Sequence, residues 1–121
     1  MTMNHQRLIE LGLSYKGTSL RYPFNEDLPV LYVGEKIFAL LGTYQSVESV
    51  NLKTSPHEAW TQRQTYPGSV LPGYHMNKMH WNTVLLNALV PDEVIVEMLR
   101  ESYLRVVANL PKADRDMLRS H

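Results

Sequence analysis

The residues with the most obvious chemical potential are a histidine and a glutamate that stand side by side, His57 and Glu58. They begin like the zinc-protease motif His-Glu-x-x-His, in which a second histidine one helical turn later shares the metal. The fifth position here is Thr61, so the second ligand is missing. A helix start explains the pair instead, because Ser55 can accept from the amide of Glu58 and Glu58 can reach back to Ser55. The pattern therefore predicts a capped helix and not a zinc site.

Two further histidines, His75 and His80, lie five residues apart within residues 74–82. Side chains on one face of a strand need an even spacing, so these two point to opposite sides of a regular strand. The chain has no cysteine, and this block has no carboxylate. We therefore expect no metal ion and no cofactor. The simpler interpretation is that one histidine packs partly against Trp81 and the other is solvated.

A small set of lysines could form a basic patch. Lys36, Lys53 and Lys78 fall at predicted strand ends or turns, where each is an ordinary solvated lysine unless all three share one side of the sheet. Residues 53–81 carry three basic side chains and one acid, a net charge of +2, and their three histidines add charge at lower pH. The aromatic residues, which we expect mostly in the core although some could stack on bases, are Tyr22, Phe24, Tyr32, Phe38, Trp60, Tyr74, Trp81 and Tyr103.

Known catalytic motifs are missing from the sequence. There is no glycine-rich phosphate loop and no GxSxG nucleophile elbow, and the lack of cysteine excludes thiolate nucleophiles and disulfides. The acid pairs 26–27 and 92–93 fall at a predicted turn and a predicted helix start, and carboxylates that are neighbours in sequence rarely converge on one substrate atom. We therefore predict that the protein is not an enzyme.

Size and composition indicate one ordinary globular domain. The 121 residues are 44% hydrophobic and carry 12 basic and 12 acidic side chains, a formal net charge of zero. This balance argues against a strongly basic nucleic-acid binder, because long-range attraction to phosphate needs excess positive charge. No apolar run is long enough for a signal peptide or a membrane span. We expect a soluble, cytoplasmic, monomeric protein with a single domain over residues 1–121.

Hydrophobic periodicity and turn residues predict the elements that must position these side chains. The clearest signal is a hairpin of strands 30–33 and 36–41 around Gly34 and Glu35. The other predicted elements are helices over 3–12, 55–64 and 91–109, strands over 47–53, 74–78 and 81–87, turns over 14–29 and 42–46, and a fraying tail over 112–121. This order predicts an α+β fold in which helices cover one face of an antiparallel sheet.

Six segments of the chain, in this order and spacing, resemble the MmcQ/YjbR family of small bacterial proteins. The block YHMNKMHWNT over residues 74–83 is the specific part. The segments are 22–24, 33–40, 50–53, 72–84, 101–103 and 110–112. The resemblance implies a frataxin-like, or CyaY-like, α+β fold and a DNA-binding protein with two hairpin wings, and it implies no enzymatic reaction.

The resemblance also implies site residues. The family's polar signature falls on Lys36, Asn51, Lys53, His75, Asn77, Lys78, His80, Trp81 and Asn82. The nucleic-acid contacts it implies are Lys36, Lys53, His75, Asn77, Lys78, His80 and Asn82. The lysines would neutralise phosphates, and His75, Asn77 and His80 would donate to phosphates or base edges. Met79 stands where the family often has a second basic residue, and the first helix carries only Glu10, too little acid for frataxin-like iron binding.

The sequence is compatible with three functions. The first is weak, largely sequence-independent DNA binding through the sheet and its wings. The second is a cleft around residues 74–82 for a small anionic metabolite or a partner peptide. In the third, the polar block is structural and bonds backbone groups around Pro72 and Gly73. Side-chain direction discriminates between them, because an open positive face favours DNA and a closed cleft ringed by tyrosine and tryptophan favours a ligand.

Overall fold

The computed structural model describes residues 2–74 and 76–119. These residues form a six-stranded antiparallel sheet, in the order β1-β2-β3-β4-β6-β5, with four helices. The strands are β1 Thr18–Arg21, β2 Val30–Val33, β3 Lys36–Tyr44, β4 Val47–Lys53, β5 Val70–Pro72 and β6 Trp81–Leu85. The helices are α1 His5–Leu13, α2 Pro56–Thr65, α3 Asp92–Ala108 and α4 Lys112–Arg119. The predicted α+β class is confirmed. Within the described ranges, no helix combines the length and apolar character that crossing a bilayer requires.

The main core lies between the sheet and the helices. Leu41, Val50, Val84 and Val70 stand opposite one another across β3, β4, β6 and β5, and none of them is more than 2% exposed. Because strand side chains alternate between the two faces, this row gives the sheet one continuous apolar face. Helix α3 covers it with the stripe that its sequence predicts, namely Ile95, Leu99, Ser102 and Val106.

A buried serine in this stripe joins α3 to the sheet beside a bulge. The pairing of β2 with β3 shifts next to Leu31, which leaves Phe38 as an extra residue of β3. The Ser102 hydroxyl donates to the Phe38 carbonyl at 2.6 Å and accepts from the Lys53 amide at 2.8 Å. One side chain thereby satisfies a carbonyl of β3 and an amide of β4.

Two local predictions are confirmed in detail. The hairpin of β2 and β3 turns at Gly34, whose φ of +58° is the left-handed conformation that glycine adopts without strain. The Ser55 hydroxyl caps α2 by accepting from the Glu58 amide at 3.1 Å. Each of these signals consists of neighbouring residues, so no long-range contact is needed to decide it.

Four local predictions were wrong. Gly42 lies inside β3, because the turn forms later at Gln45 and Ser46, both with positive φ. The region predicted as turns contains the short edge strand β1, which pairs with β2. The predicted strand 74–78 is instead irregular where it is described, and the strand is β5, which ends at Pro72. The predicted fraying tail forms α4, because Leu118 packs against the core.

Candidate functional site

The face of the sheet opposite the helices carries a pocket of about 410 Å³. Its floor is made by strand residues that alternate with the core row. Asn51 stands between Leu40 of β3 and Thr83 of β6, and Ser49 stands opposite Gly42. Gly42 has no side chain and Ser49 a short one, so the floor lies low between the taller residues around it.

The chain after β5 forms one wall of the pocket. It folds back over β6, with the Gly73 amide bonded to the Trp81 carbonyl at 2.8 Å and the Tyr74 amide bonded to the Thr83 hydroxyl at 2.9 Å. A Cβ atom on Gly73 would lie 2.8 Å from the Trp81 Cβ, so only glycine lets the chain pass this close to the strand. The Tyr74 ring then meets the Tyr44 ring edge-on, with 6.0 Å between the centroids.

The segment that joins β1 to β2 forms the opposite wall. Phe24 and Leu28 line the pocket from this side. Phe24 is 61% exposed, a large fraction for an apolar ring. Among the lining residues that the structure describes, none carries a charge. The described part of the walls therefore offers aromatic and aliphatic surface to a ligand and no charged side chain.

Three buried polar side chains make up the centre of the floor. Ser49, Asn51 and Thr83 are each 4% exposed or less. The Thr83 hydroxyl donates to the Asn51 side-chain oxygen at 2.6 Å, and the Asn51 side-chain nitrogen lies 3.5 Å from the Leu40 carbonyl. Polar groups of this kind at the bottom of an apolar cleft are typical of ligand sites.

The structure brings three of the predicted nucleic-acid contacts to one end of the sheet. Lys53 pairs with Trp81, and the Thr54 amide donates to the His80 carbonyl at 2.8 Å. The Arg63 guanidinium donates to the carbonyl of Lys78 in the same loop. The backbones of Lys53, Lys78 and His80 are therefore neighbours at the end of β4 and β6.

Of the other predicted contacts, Lys36 lies elsewhere, whereas Asn77 belongs to the same loop and its carbonyl accepts from the Trp81 amide at 2.9 Å. Lys36 stands opposite Val33, a core residue, so the register places it on the helix side of the sheet. Lys53 lies on the pocket side, because it is two residues from Asn51 on the same strand. Asn77 is part of a tight turn in which its side-chain oxygen accepts from the Met79 amide at 2.9 Å. His75 lies outside the described residues.

Asn82 is a structural residue and not a surface contact. It is 1% exposed and lies under α2. Its side-chain nitrogen donates to the Ala59 carbonyl at 3.1 Å and to the Gln62 side chain at 3.0 Å, while its oxygen accepts from Arg63 at 2.7 Å. Both of its N–H groups and its oxygen are bonded to residues of α2, which holds α2 against β6.

Sequence reasoning missed most of the pocket. Tyr22, Phe24, Trp60 and Tyr74 were expected mostly in the core, but each is about half exposed or more. Gly42, which opens the floor, was assigned to a turn. A usable signal exists in β3, where apolar residues continue on both faces of the strand, because a solvent-facing side should be polar.

The perturbed ionisable groups lie away from the pocket lining. The hydrogen bond from Arg21 to Glu35, 2.6 Å long, lowers the pKa of the Glu35 carboxyl and raises that of the guanidinium. Burial raises the pKa of the Tyr15 and Tyr103 hydroxyls above the ordinary value. Over residues 2–74 and 76–119, no group of three histidine, cysteine or acidic side chains is arranged to hold a metal ion.

Comparisons with known proteins agree with the fold and with the resemblance in sequence. The YjbR family model matches residues 13–105. Protein YbdF of Escherichia coli O157:H7 is 33% identical over 115 residues, which are 95% of this chain and 93% of YbdF. Protein YjbR of E. coli K12 is 37% identical over 86 residues, 71% of this chain and 72% of YjbR.

Solved structures share the same architecture. The crystal structure of Deinococcus radiodurans protein DR2400 has a TM-score of 0.88 at 34% identity, and the match covers 97% of this chain and 88% of that chain. A Pseudomonas syringae crystal structure has a TM-score of 0.70 at 29% identity, and the match covers 83% of this chain and 96% of the other. Because a family model covers most of the chain and relatives match along nearly all of it, this protein belongs to the YjbR family.

Proposed function

We propose that this protein is a binding protein that takes a small, uncharged molecule with an aromatic ring into the pocket on the helix-free face of the sheet. The observation that carries the proposal is the pocket itself, about 410 Å³ in volume, with aromatic walls and a buried polar floor. Ligand pockets in proteins have volumes of about 300–1,000 Å³ and combine apolar walls with a few placed polar groups.

The lining decides the kind of ligand. Phe24, Tyr44 and Tyr74 present ring surface, which packs well against another flat ring. An anionic ligand would lose its hydration on entry and find no cation among the described lining residues. A neutral ring therefore fits better than the small anionic metabolite considered from the sequence.

Gly42 offers a way to test the proposal. An added Cβ would lie 3.4 Å from the Leu28 side chain, which is ordinary contact, so a larger side chain can extend into the pocket. We expect coumarin and naphthalene, used as probes, to shift the NMR signals of pocket residues in the wild type. Gly42→Phe should fill the cavity and weaken binding of both probes at least tenfold.

Lys36→Phe is the matched control for this substitution. It adds the same ring to the same strand, six residues away, or about 20 Å along β3. Binding in this variant should equal that of the wild type. The proposal fails if neither probe shifts pocket signals up to its solubility limit, or if Gly42→Phe binds both probes as well as the control does.

Weak DNA binding is a second candidate function, and the clustering of Lys53, Lys78 and His80 at one end of the sheet favours it. Family resemblance implies the same activity. The two candidates use different residues, so variants separate them. The double variant Lys53→Ala/Lys78→Ala should lose DNA binding and keep coumarin binding, and Gly42→Phe should do the reverse.

A further inference from the structure

We infer that the pocket selects ring molecules that carry a hydrogen-bond acceptor, such as an aromatic lactone, lactam or ring ketone. The Asn51 side-chain amide donates the hydrogen bond to this acceptor. The inference deepens the proposed function and rests on it. The proposed function depends on the volume and the lining of the pocket. The inference adds the direction of one hydrogen bond, from Asn51 to the ligand.

The direction follows from a chain of hydrogen bonds that begins in the wall of the pocket. The Tyr74 backbone amide can only donate, so the Thr83 hydroxyl oxygen is the acceptor at 2.9 Å. The hydroxyl hydrogen is then available for the Asn51 side-chain oxygen, 2.6 Å away. This bond occupies the oxygen of Asn51 and leaves its nitrogen for other partners.

The opposite orientation of the amide is disfavoured by Leu40. The Asn51 nitrogen lies 3.5 Å from the Leu40 carbonyl, a distance at the limit of a hydrogen bond. Turning the amide over would place its oxygen against that carbonyl, so that two acceptors would face each other. The nitrogen therefore stays on this side, with one hydrogen directed at Leu40 and a second hydrogen that has no partner among the described residues.

This unused donor belongs to a buried side chain that lines the pocket. Asn51 is only 4% exposed, so water reaches it poorly, and a buried donor without an acceptor is costly. Ser49 lies two residues away on the same face of β4. Its hydroxyl can rotate either to donate a hydrogen bond to a ligand or to accept one from it. A neutral ligand that places a carbonyl oxygen or ring nitrogen near Asn51 satisfies the floor, whereas a plain hydrocarbon leaves the donor unpaired.

Coumarin and naphthalene test this selection, because both are flat fused pairs of rings of similar size and only coumarin carries a carbonyl. We expect the wild type to bind coumarin about two- to twelvefold more tightly than naphthalene, the range for one net hydrogen bond. Asn51→Leu keeps a side chain of similar size without the donor. It should bring the ratio of the two affinities close to one, because coumarin loses the hydrogen bond and naphthalene has none to lose.

A measurement on the wild type tests the same hydrogen bond without depending on whether a variant folds. In the intact protein, the two side-chain N–H signals of Asn51 should separate further when coumarin is added, and naphthalene should not have this effect. Thr83→Ser, which keeps the hydroxyl, should preserve the preference for coumarin, and Thr83→Val, which frees the Asn51 oxygen, should reduce it.

Each outcome has a distinct meaning. If both probes bind the wild type equally well, or if Asn51→Leu weakens both by the same factor, the inference is wrong while the proposed pocket function stands. If neither probe binds, the pocket function and the inference fail together.

Discussion

At the scale of single residues, the same amide side chain has opposite roles in neighbouring strands. Asn51 of β4 faces the pocket, whereas Asn82 of β6 faces α2, although the sequence resemblance implies the same polar signature for both. The reason is register, because Asn51 pairs with Thr83 and Asn82 pairs with Leu52. A shift of one residue exchanges the two faces of a strand. The sequence could predict that these residues are polar and buried in a sheet, but it could not predict the face.

Removal of the Ser102 hydroxyl should destabilise the fold, because this one group bonds two strands of the sheet. Ser102→Ala leaves the Phe38 carbonyl and the Lys53 amide buried without their partner. We expect the free energy of unfolding to fall by about 1–3 kcal/mol, the range for unsatisfied buried groups. Urea denaturation followed by fluorescence measures this difference.

Ser14→Ala is the control for that measurement. Ser14 is exposed at the end of α1, and its hydroxyl bonds only to the nearby Leu11 carbonyl among the described residues. Its removal should change the free energy of unfolding by less than about 0.5 kcal/mol. Equal effects of the two substitutions would contradict the bridging role of Ser102.

At the scale of elements, prediction succeeded where a signal was local. The hairpin turn at Gly34 and the Ser55 cap of α2 each depend on a few adjacent residues, and both formed as expected. The chain after β5 is different. Its path over β6 depends on the contact of Gly73 with Trp81 and on the bond from Tyr74 to Thr83, partners eight and nine residues away. Without those contacts, the polar block resembles a strand.

Gly73→Ala should therefore disturb this wall of the pocket. The new Cβ would meet the Trp81 Cβ at 2.8 Å and the Trp81 backbone oxygen at 2.9 Å, and a strand backbone cannot move aside easily. We expect a loss of about 1–3 kcal/mol in the free energy of unfolding. Coumarin binding should also weaken, because Tyr74 moves with the displaced chain.

Gly42→Ala is the matched comparison, since it adds the same methyl group at a place with room for it. The nearest atom, in the Leu28 side chain, lies at 3.4 Å. Its stability should equal that of the wild type or exceed it by up to about 1 kcal/mol, because alanine has less freedom in the unfolded chain. A Gly73→Ala protein as stable as Gly42→Ala would show that the wall does not depend on this close approach.

At the scale of the whole molecule, hydrophobic patterning was enough to predict the α+β class, because the apolar faces of strands and of α3 had to meet. The same patterning could not reveal the pocket. Its walls come from Phe24 and Leu28 in one segment and from Tyr74 and Met76 in another, and these segments are far apart in sequence. Net charge is also a property of the whole molecule. Because 12 basic side chains balance 12 acidic ones, the protein has no long-range attraction to nucleic acid.

Any DNA binding must therefore depend on the few cations gathered at the end of β4 and β6. With about three phosphate contacts, the plot of log affinity against log salt should have a slope of about −3, so affinity falls roughly 60-fold between about 50 and 200 mM salt. Fluorescence anisotropy with a labelled duplex measures this dependence. A slope steeper than about −6 would require more basic side chains than the few at this end of the sheet. An unchanged affinity in Lys53→Ala/Lys78→Ala would remove this end of the sheet as the binding surface.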